Sequence, residues 1–323
     1  MIADAVDITA LAATLRAGRG IAAKRDIAQA AARLGLSGAG AVAVGDDCAA
    51  IPDGDGFLLF AIEGFIQAFV THDPWFAGWC GVMVNVSDIA AMGGRPIAVV
   101  DAVWSRGAEA AEPMLAGLRA AAAAFDVPIV GGHSNLQADG LQLSVAILGR
   151  ATRLLTSFDA RPGDRLVAAI DLRGRYREPF ANWDAATGAP PGRPRGDIGI
   201  LPAIAEAGLA RAAKDISQGG LIGTLLMLAE CSGVGAVLDV AAVPRPDGVP
   251  LDRWLQTFPS FGYILSVAAA HVPETIGCFT ARGIAAAEIG HVTPSRQVEI
   301  VHGGVREKIW DFGREPLIGF GAA

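Results

Sequence analysis

Short apolar runs bounded by glycine alternate along the chain with longer stretches of helical spacing, a pattern that predicts interleaved strands and helices. Leu11 and Leu15 predict a short opening helix, followed by a glycine-rich loop at Gly18-Arg19-Gly20. Phe57 to Ile62 reads as a buried strand that delivers Glu63 to its end. Asp73-Pro74 starts a helix and Gly93-Gly94 with Arg95-Pro96 ends it, so Asn85 and Asp88 share one face. Ile97 to Trp104 is strand-like, and Leu115, Leu118, Ala122 and Phe125 mark an amphipathic helix. Pro128-Ile129-Val130 leads into Gly131-Gly132-His133-Ser134, and Leu141, Leu143, Val145 and Ile147 alternate along another strand. The turn Arg161-Pro162-Gly163-Asp164 opens a second domain, with a strand at Arg165 to Ala169. Beyond a loop from Gly188 to Gly196, the pattern predicts helices at Ile198 to Ala213 and Leu221 to Cys231, then strands at Gly262 to Val267 and Ala286 to Val292.

The resulting fold class is α/β, and 323 residues suffice for two domains with separate cores. Hydrophobic residues make up 52% and charged residues 18%, which argues against large-scale disorder and leaves room for a buried subunit interface. A net charge of −7 disfavours nucleic acid or an anionic membrane as the main partner and points to a small molecule. Cys48, Cys80, Cys231 and Cys278 show no metal-ligand spacing, and the first residues, Met1 to Asp7, carry acids where an export signal would be basic. A cytoplasmic protein is expected. Phe76 to Met92 is interrupted by Asn85, Ser87 and Asp88, so it predicts a buried helix rather than a membrane span.

Against that apolar background, acidic residues beside small ones stand out: Gly45-Asp46-Asp47-Cys48, Ile62-Glu63-Gly64, Asn85-Val86-Ser87-Asp88 and Lys214-Asp215-Ile216-Ser217-Gln218-Gly219-Gly220. Carboxylates in such surroundings need a compensating cation, and Mg²⁺ carrying ATP suits a few carboxylates plus phosphate oxygens. Each has a structural alternative: a solvated turn for Asp46 and Asp47, a hydrogen-bonded Asp88, a helix cap at Asp215. The chain contains no Walker, kinase or nucleophile-elbow motif, so a nucleotide must be held another way. Arg173, Arg175, Arg177, Arg193 and Arg195 around Trp183 suit either a lid over an anionic substrate or a charged surface loop.

In order and spacing, these motifs resemble the aminoimidazole ribonucleotide synthetase superfamily over roughly residues 20 to 300. That superfamily includes thiamine-monophosphate kinase, selenophosphate synthetase, a hydrogenase-maturation protein and a formylglycinamidine synthase. The resemblance implies an N-terminal ATP-binding domain over 1–155 and a C-terminal α/β domain over 156–323. It also implies a homodimer whose N-terminal sheets pair into a β-barrel. Carried over by position, Asp46, Asp47, Glu63, Asp88 and Asp215 would be metal ligands. Gly45, Asp47, Asn85, Gly131, Gly132, Asp215 and Ser217 would contact the nucleotide, and Asp46, Asp88, His133 and Lys24 would serve the reacting groups. Glu63 stands where many relatives have Asp. His133 matches the selenophosphate synthetases, but a cysteine near Lys24 is missing, which disfavours selenide chemistry; the final Gly321-Ala322-Ala323 lacks the cysteine that carbamoyl chemistry needs. The expected activity is ATP- and Mg²⁺-dependent phosphoryl transfer to a small metabolite. The alternatives are an amide-activating synthetase and a nucleotide-binding maturation partner that engages another protein.

Overall fold

The computed structural model describes residues 6–36 and 42–321. Met1 to Ala5, part of the acidic opening behind the expectation about export, lie outside them. In chain order the elements are α1 (Ile8–Arg16), α2 (Arg19–Leu34), β1 (Ala49–Asp53), β2 (Gly56–Gly64), α3 (Gln67–His72), α4 (Pro74–Ala91), β3 (Arg95–Arg106), α5 (Ala108–Phe125), β4 (Ile129–Asn135) and β5 (Gln137–Ala151). They continue with β6 (Arg165–Ile170), β7 (Arg175–Tyr176), β8 (Asn182–Asp184), α6 (Arg193–Ile198), α7 (Ile200–Ala207), β9 (Ala212–Asp215), α8 (Gly220–Cys231), β10 (Gly235–Asp239), α9 (Leu251–Trp254), β11 (Phe258–Pro259), β12 (Gly262–Val267), α10 (Val272–Thr280), β13 (Ala285–Thr293), β14 (Gln297–His302) and β15 (Val305–Asp311). Among the described residues, no helix is long and apolar enough to cross a membrane.

The chain forms two compact units. One takes Asp47–Leu154 and Ala185–Glu206; the other takes the residues up to Asp46, Leu155–Asp184 and the residues from Ala207 onward. The chain crosses between these units at 46/47, 154/155, 184/185 and 206/207.

The first unit is built on a five-stranded sheet ordered β1-β2-β5-β3-β4, antiparallel except for the β3/β4 pair. Alternation places Leu59, Ala61, Val99, Val103, Leu143, Val145 and Ile147 on one buried face, against which α4 and α5 pack. Asp73 caps α4 by accepting from the Phe76 amide at 3.1 Å, Pro74 occupies its first turn, and Gly93 at φ 76° stops it. The α4/α5 crossing is closed by glycines: a Cβ on Gly78 would overlap the Met114 carbonyl oxygen, and one on Gly117 the Trp75 carbonyl oxygen. The opposite sheet face stays open, with Ile51, Phe60, Ile62 and Val100 all more than 40% exposed.

The second unit has a seven-stranded mixed sheet ordered β15-β14-β10-β13-β6-β12-β9. Its helix α8 is buried along its whole length, as its near-continuous apolar sequence requires. A small sheet, β11-β8-β7, carries a Tyr176–Trp183–Trp254 aromatic cluster with Arg253 over the Tyr176 ring at 3.7 Å.

Two local expectations are corrected. Gly18-Arg19-Gly20 is the start of α2 rather than a loop, because Gly20 lies flat against the Gln218 carbonyl where any side chain would collide. The helix expected from Ile198 to Ala213 ends at Ala207, where Gly208 turns left-handed at φ 69° and lets β9 begin.

Replacing Gly117 with Ala should overpack the α4/α5 crossing and destabilise the protein by about 2 kcal/mol or more. Urea unfolding measures it; an unchanged midpoint would mean that the helices part without cost.

Candidate nucleotide and metal site

In the five-stranded unit, α4 carries Asn85 and Asp88 one turn apart on its buried length. Asp88 is 5% exposed, yet one of its carboxylate oxygens and one of Asp47's lie within 4.8 Å of each other. Two carboxylates brought this close repel each other whenever both are charged. The same arrangement suits a hard divalent cation, for which carboxylate oxygens are the preferred donors.

Asn85 is fully buried. Its side-chain amide donates to the Gly81 carbonyl at 2.8 Å and to the Val145 carbonyl at 3.0 Å, stapling α4 to β5. Its Oδ1 is a buried acceptor with no hydrogen-bond partner in the structure. The nucleotide contact expected of Asn85 therefore meets a residue whose two donors are committed to backbone. Its visible work is to hold the helix that carries Asp88 in register with the sheet.

Register aligns a further row across this sheet: Glu63 opposite Val145, Val145 opposite Asp101, and Asp101 opposite Gly132. Glu63 follows Leu59 and Ala61 on the helix-facing side of β2, and it is not part of the Asp47/Asp88 grouping. Asp101 was not singled out by sequence. Gly132 makes room for it, since a Cβ there would lie 2.6 Å from its carbonyl oxygen and 2.7 Å from Oδ1. Burial pushes the Asp101 carboxyl above its usual range. Gly131, Gly132 and His133 occupy the exposed edge strand β4; His133, paired with Ala102, falls on the other face of the strand from Gly132. The structure does not gather His133 with the carboxylates.

In the seven-stranded unit, Asp46 has no side-chain exposure. Its Oδ1 accepts from Ser157 Oγ at 2.5 Å and lies 3.8 Å from Lys214 Nζ, and its Oδ2 accepts from the Ser157 amide at 2.7 Å. Protein donors thus engage both oxygens of Asp46, the residue expected to serve as a metal and catalytic group, and the bonds anchor the turn. Gly45 precedes it at φ 118°, a conformation that favours glycine. Neither Ser157 nor Lys214 was foreseen as a functional position, since the contact joins residues 111 apart in sequence in the case of Ser157.

Asp215 is buried at the end of β9, and its carbonyl accepts from Thr224 Oγ1 at 3.0 Å, tying strand to helix. The structure brings together Lys24 and Ser217, with Nζ to Oγ at 3.4 Å. Beside them a cavity of about 270 Å³ is lined by Gly18, Arg19, Gln218, Gly219 and Gln256. The arginine-rich stretch is not one cluster. Arg173 pairs with Asp171 and Arg177 with Asp184 in this unit, whereas Arg193 lies near Asp197 and Arg195 pairs with Asp126 in the other.

The mixed α/β architecture in two units is a fold shared with solved structures. The family models for the AIR synthase related protein match at residues 45–151 for the N-terminal domain and 195–303 for the C-terminal domain. The chain belongs to this family. It is 48% identical to an uncharacterized protein of Synechocystis over 97% of this chain and 98% of that one. It is 28% identical to the thiamine-monophosphate kinase of Pyrococcus abyssi, over 85% of this chain and 91% of the kinase. Among solved structures, AaThiL complexed with AMPPCP and TMP superposes with a TM-score of 0.67 at 21% identity, covering 87% of this chain and 95% of that one. Thermotoga maritima PurL complexed with ADP gives 0.71 at 18% identity over 85% of this chain, which spans about half of PurL (46% covered).

Because Asp101 keeps its proton to higher pH folded than unfolded, its burial lowers stability as pH rises from about 4 through its folded value. Asp101→Asn should therefore gain stability relative to wild type between about pH 4 and about pH 6. Urea midpoints at both pH values decide it; a pH-independent difference would remove the inference.

Proposed function

We propose that the protein is a Mg²⁺-dependent phosphotransferase that moves the γ-phosphoryl group of ATP to a small metabolite, in the manner of a thiamine-monophosphate kinase. The observation that carries this reading is the Asp47/Asp88 pair, two carboxylates held within 4.8 Å with Asp88 almost wholly buried. They fit a Mg²⁺ ion, which would bring charge neutralisation to the phosphates. Glu63 and Asp215 are carried as further acidic candidates by the family pattern. Lys24, beside Ser217, supplies a cation for a transferring phosphoryl group, and the exposed glycines at 131 and 132 leave β4 open to close approach by a nucleotide. No covalent nucleophile is required, so catalysis rests on positioning and electrostatics. The cytoplasmic setting expected from the cysteine pattern is part of this proposal.

The open face of the five-stranded sheet supports a homodimer. Ile51, Phe60, Ile62 and Val100 form an apolar surface of the kind that a second copy would cover by sheet-to-sheet pairing. A second catalytic reading, an amide-activating synthetase, draws on the similarity to PurL; it differs in releasing free phosphate rather than a phosphorylated product.

Calorimetric titration should find ATP binding that depends on Mg²⁺ in wild type and is lost in Asp88→Asn, with the variant still folded by circular dichroism. Equal affinity in both proteins would remove the metal role of Asp88. With thiamine monophosphate as the first acceptor tried, a phosphorylated product identifies the kinase, and free phosphate with an amide-bearing substrate identifies the synthetase. Light scattering should return twice the chain mass, falling to one chain in Ile62→Lys.

A further inference from the structure

Three consecutive residues at the end of α8 hold the Gly45-Asp46 turn, and no part of the proposed chemistry uses them. Glu230 is 4% exposed; its Oε1 accepts from the Leu317 and Gly319 amides at 2.8 and 3.2 Å, and its Oε2 from the Ile318 amide at 2.8 Å. A buried carboxylate that collects three backbone amides fixes the path of the segment that supplies them. Leu317 and Ile318, at 1% and 2% exposure, bury their side chains at the same point.

That path sets the next residue against the acidic turn. A Cβ on Gly45 would lie within 2.8 Å of three atoms of Phe320, so the ring sits directly on the Gly45 backbone. Cys231 Sγ reaches the Gly45 carbonyl at 3.7 Å. Ser232 Oγ donates to the Ser157 carbonyl at 2.7 Å and accepts from the Ala160 amide at 3.1 Å, and Ser157 is the residue that holds Asp46 through its amide and its hydroxyl. Gly45 and Asp46 are thus braced on one side through Ser232 and Ser157 and on the other by Phe320, whose place depends on Glu230.

We propose that Glu230 and Phe320 form a latch: positioning residues that hold the Gly45-Asp46 turn closed and so preset Asp47 for its cation. The inference rests on the proposed reading of Asp47 as a metal-site residue. When segment 317–321 leaves Glu230, Phe320 withdraws from Gly45, the turn loosens, and cation affinity falls. The latch therefore couples a contact remote from the reacting groups to the occupancy of the metal site.

The test compares wild type, Phe320→Ala, Phe320→Tyr and Glu230→Gln in two measurements. The first is hydrogen exchange without ligand. Phe320→Ala and Glu230→Gln should speed exchange at the amides of residues 45–48 while the β12 and β13 amides keep their wild-type rates. The second is calorimetric titration of Mn²⁺ in the presence of ATP, where Phe320→Ala should weaken the cation by about tenfold, as loss of a supporting shell does elsewhere. Phe320→Tyr keeps the ring and should restore both readings, which a general loss of stability would not. Unchanged exchange at 45–48 in Phe320→Ala would overturn the latch, as would exchange that rises equally across the sheet. If wild type takes up no Mn²⁺, the metal reading of Asp47 falls, and the exchange data alone then decide whether the turn is latched.

Discussion

The engagement of Asp46 by Ser157 and Lys214 is the interaction from which the rest of the candidate site follows. A carboxylate without side-chain exposure costs several kcal/mol unless donors and an opposite charge meet it. Here an amide, a hydroxyl and an ammonium do so. The residue so fixed ends the first segment of the seven-stranded unit, and Asp47 begins the five-stranded one. Neighbouring acids in one motif therefore have different physical fates. One is consumed in anchoring the chain at the point where it changes units. The other reaches the neighbourhood of Asp88 on α4, where the proposed function places a metal.

This division explains what could be read from the sequence. The helix that carries Asp88 was legible because its signals are local: Asp73-Pro74 begins it, Gly93-Gly94 ends it, and Asn85 and Asp88 stand three apart. The strand that carries Glu63 was legible for the same reason, although its Phe60 and Ile62 face is exposed rather than buried, and the order of acidic motifs sufficed for the family. What stayed hidden depends on contacts distant in sequence. Nothing local distinguishes Asp46 from Asp47 until Ser157 and Lys214 arrive, nothing marks Glu230 until three amides from 317–319 converge on it, and Asp101 sits inside an ordinary strand pattern. Gly20 misled for a related reason. Its smallness reads as loop, whereas it serves a helix start pressed against another backbone.

The same use of small residues shapes the five-stranded unit. Gly78 and Gly117 let α4 and α5 approach to backbone contact, so both helices fit on one face of a narrow sheet, and Asn85 locks their position to β5. With both helices spent on that face, the other keeps Phe60, Ile62 and Val100 toward solvent. An isolated chain gains nothing from such a surface, since exposed β-branched and aromatic rows invite association. The proposed second copy would cover it, because a self-complementary patch serves both partners of a two-fold pair.

Charge accounting then bears on why the proposed chemistry leans on a metal. ATP brings a polyanion to a chain whose net charge is already −7. Of the two lysines placed near the acidic motifs of the seven-stranded unit, Lys214 lies 3.8 Å from Asp46 and Lys24 bonds Ser217. Arg173, Arg177 and Arg195, three of the arginines considered for an anion lid, pair with Asp171, Asp184 and Asp126. One ammonium cannot offset the repulsion between a triphosphate and a pair of carboxylates, whereas a divalent ion between them converts both into ligands. On this reading the carboxylates are not obstacles to nucleotide binding. They are the reason that the nucleotide must arrive with its metal, and they make cation affinity the property on which any remote control of the site would act.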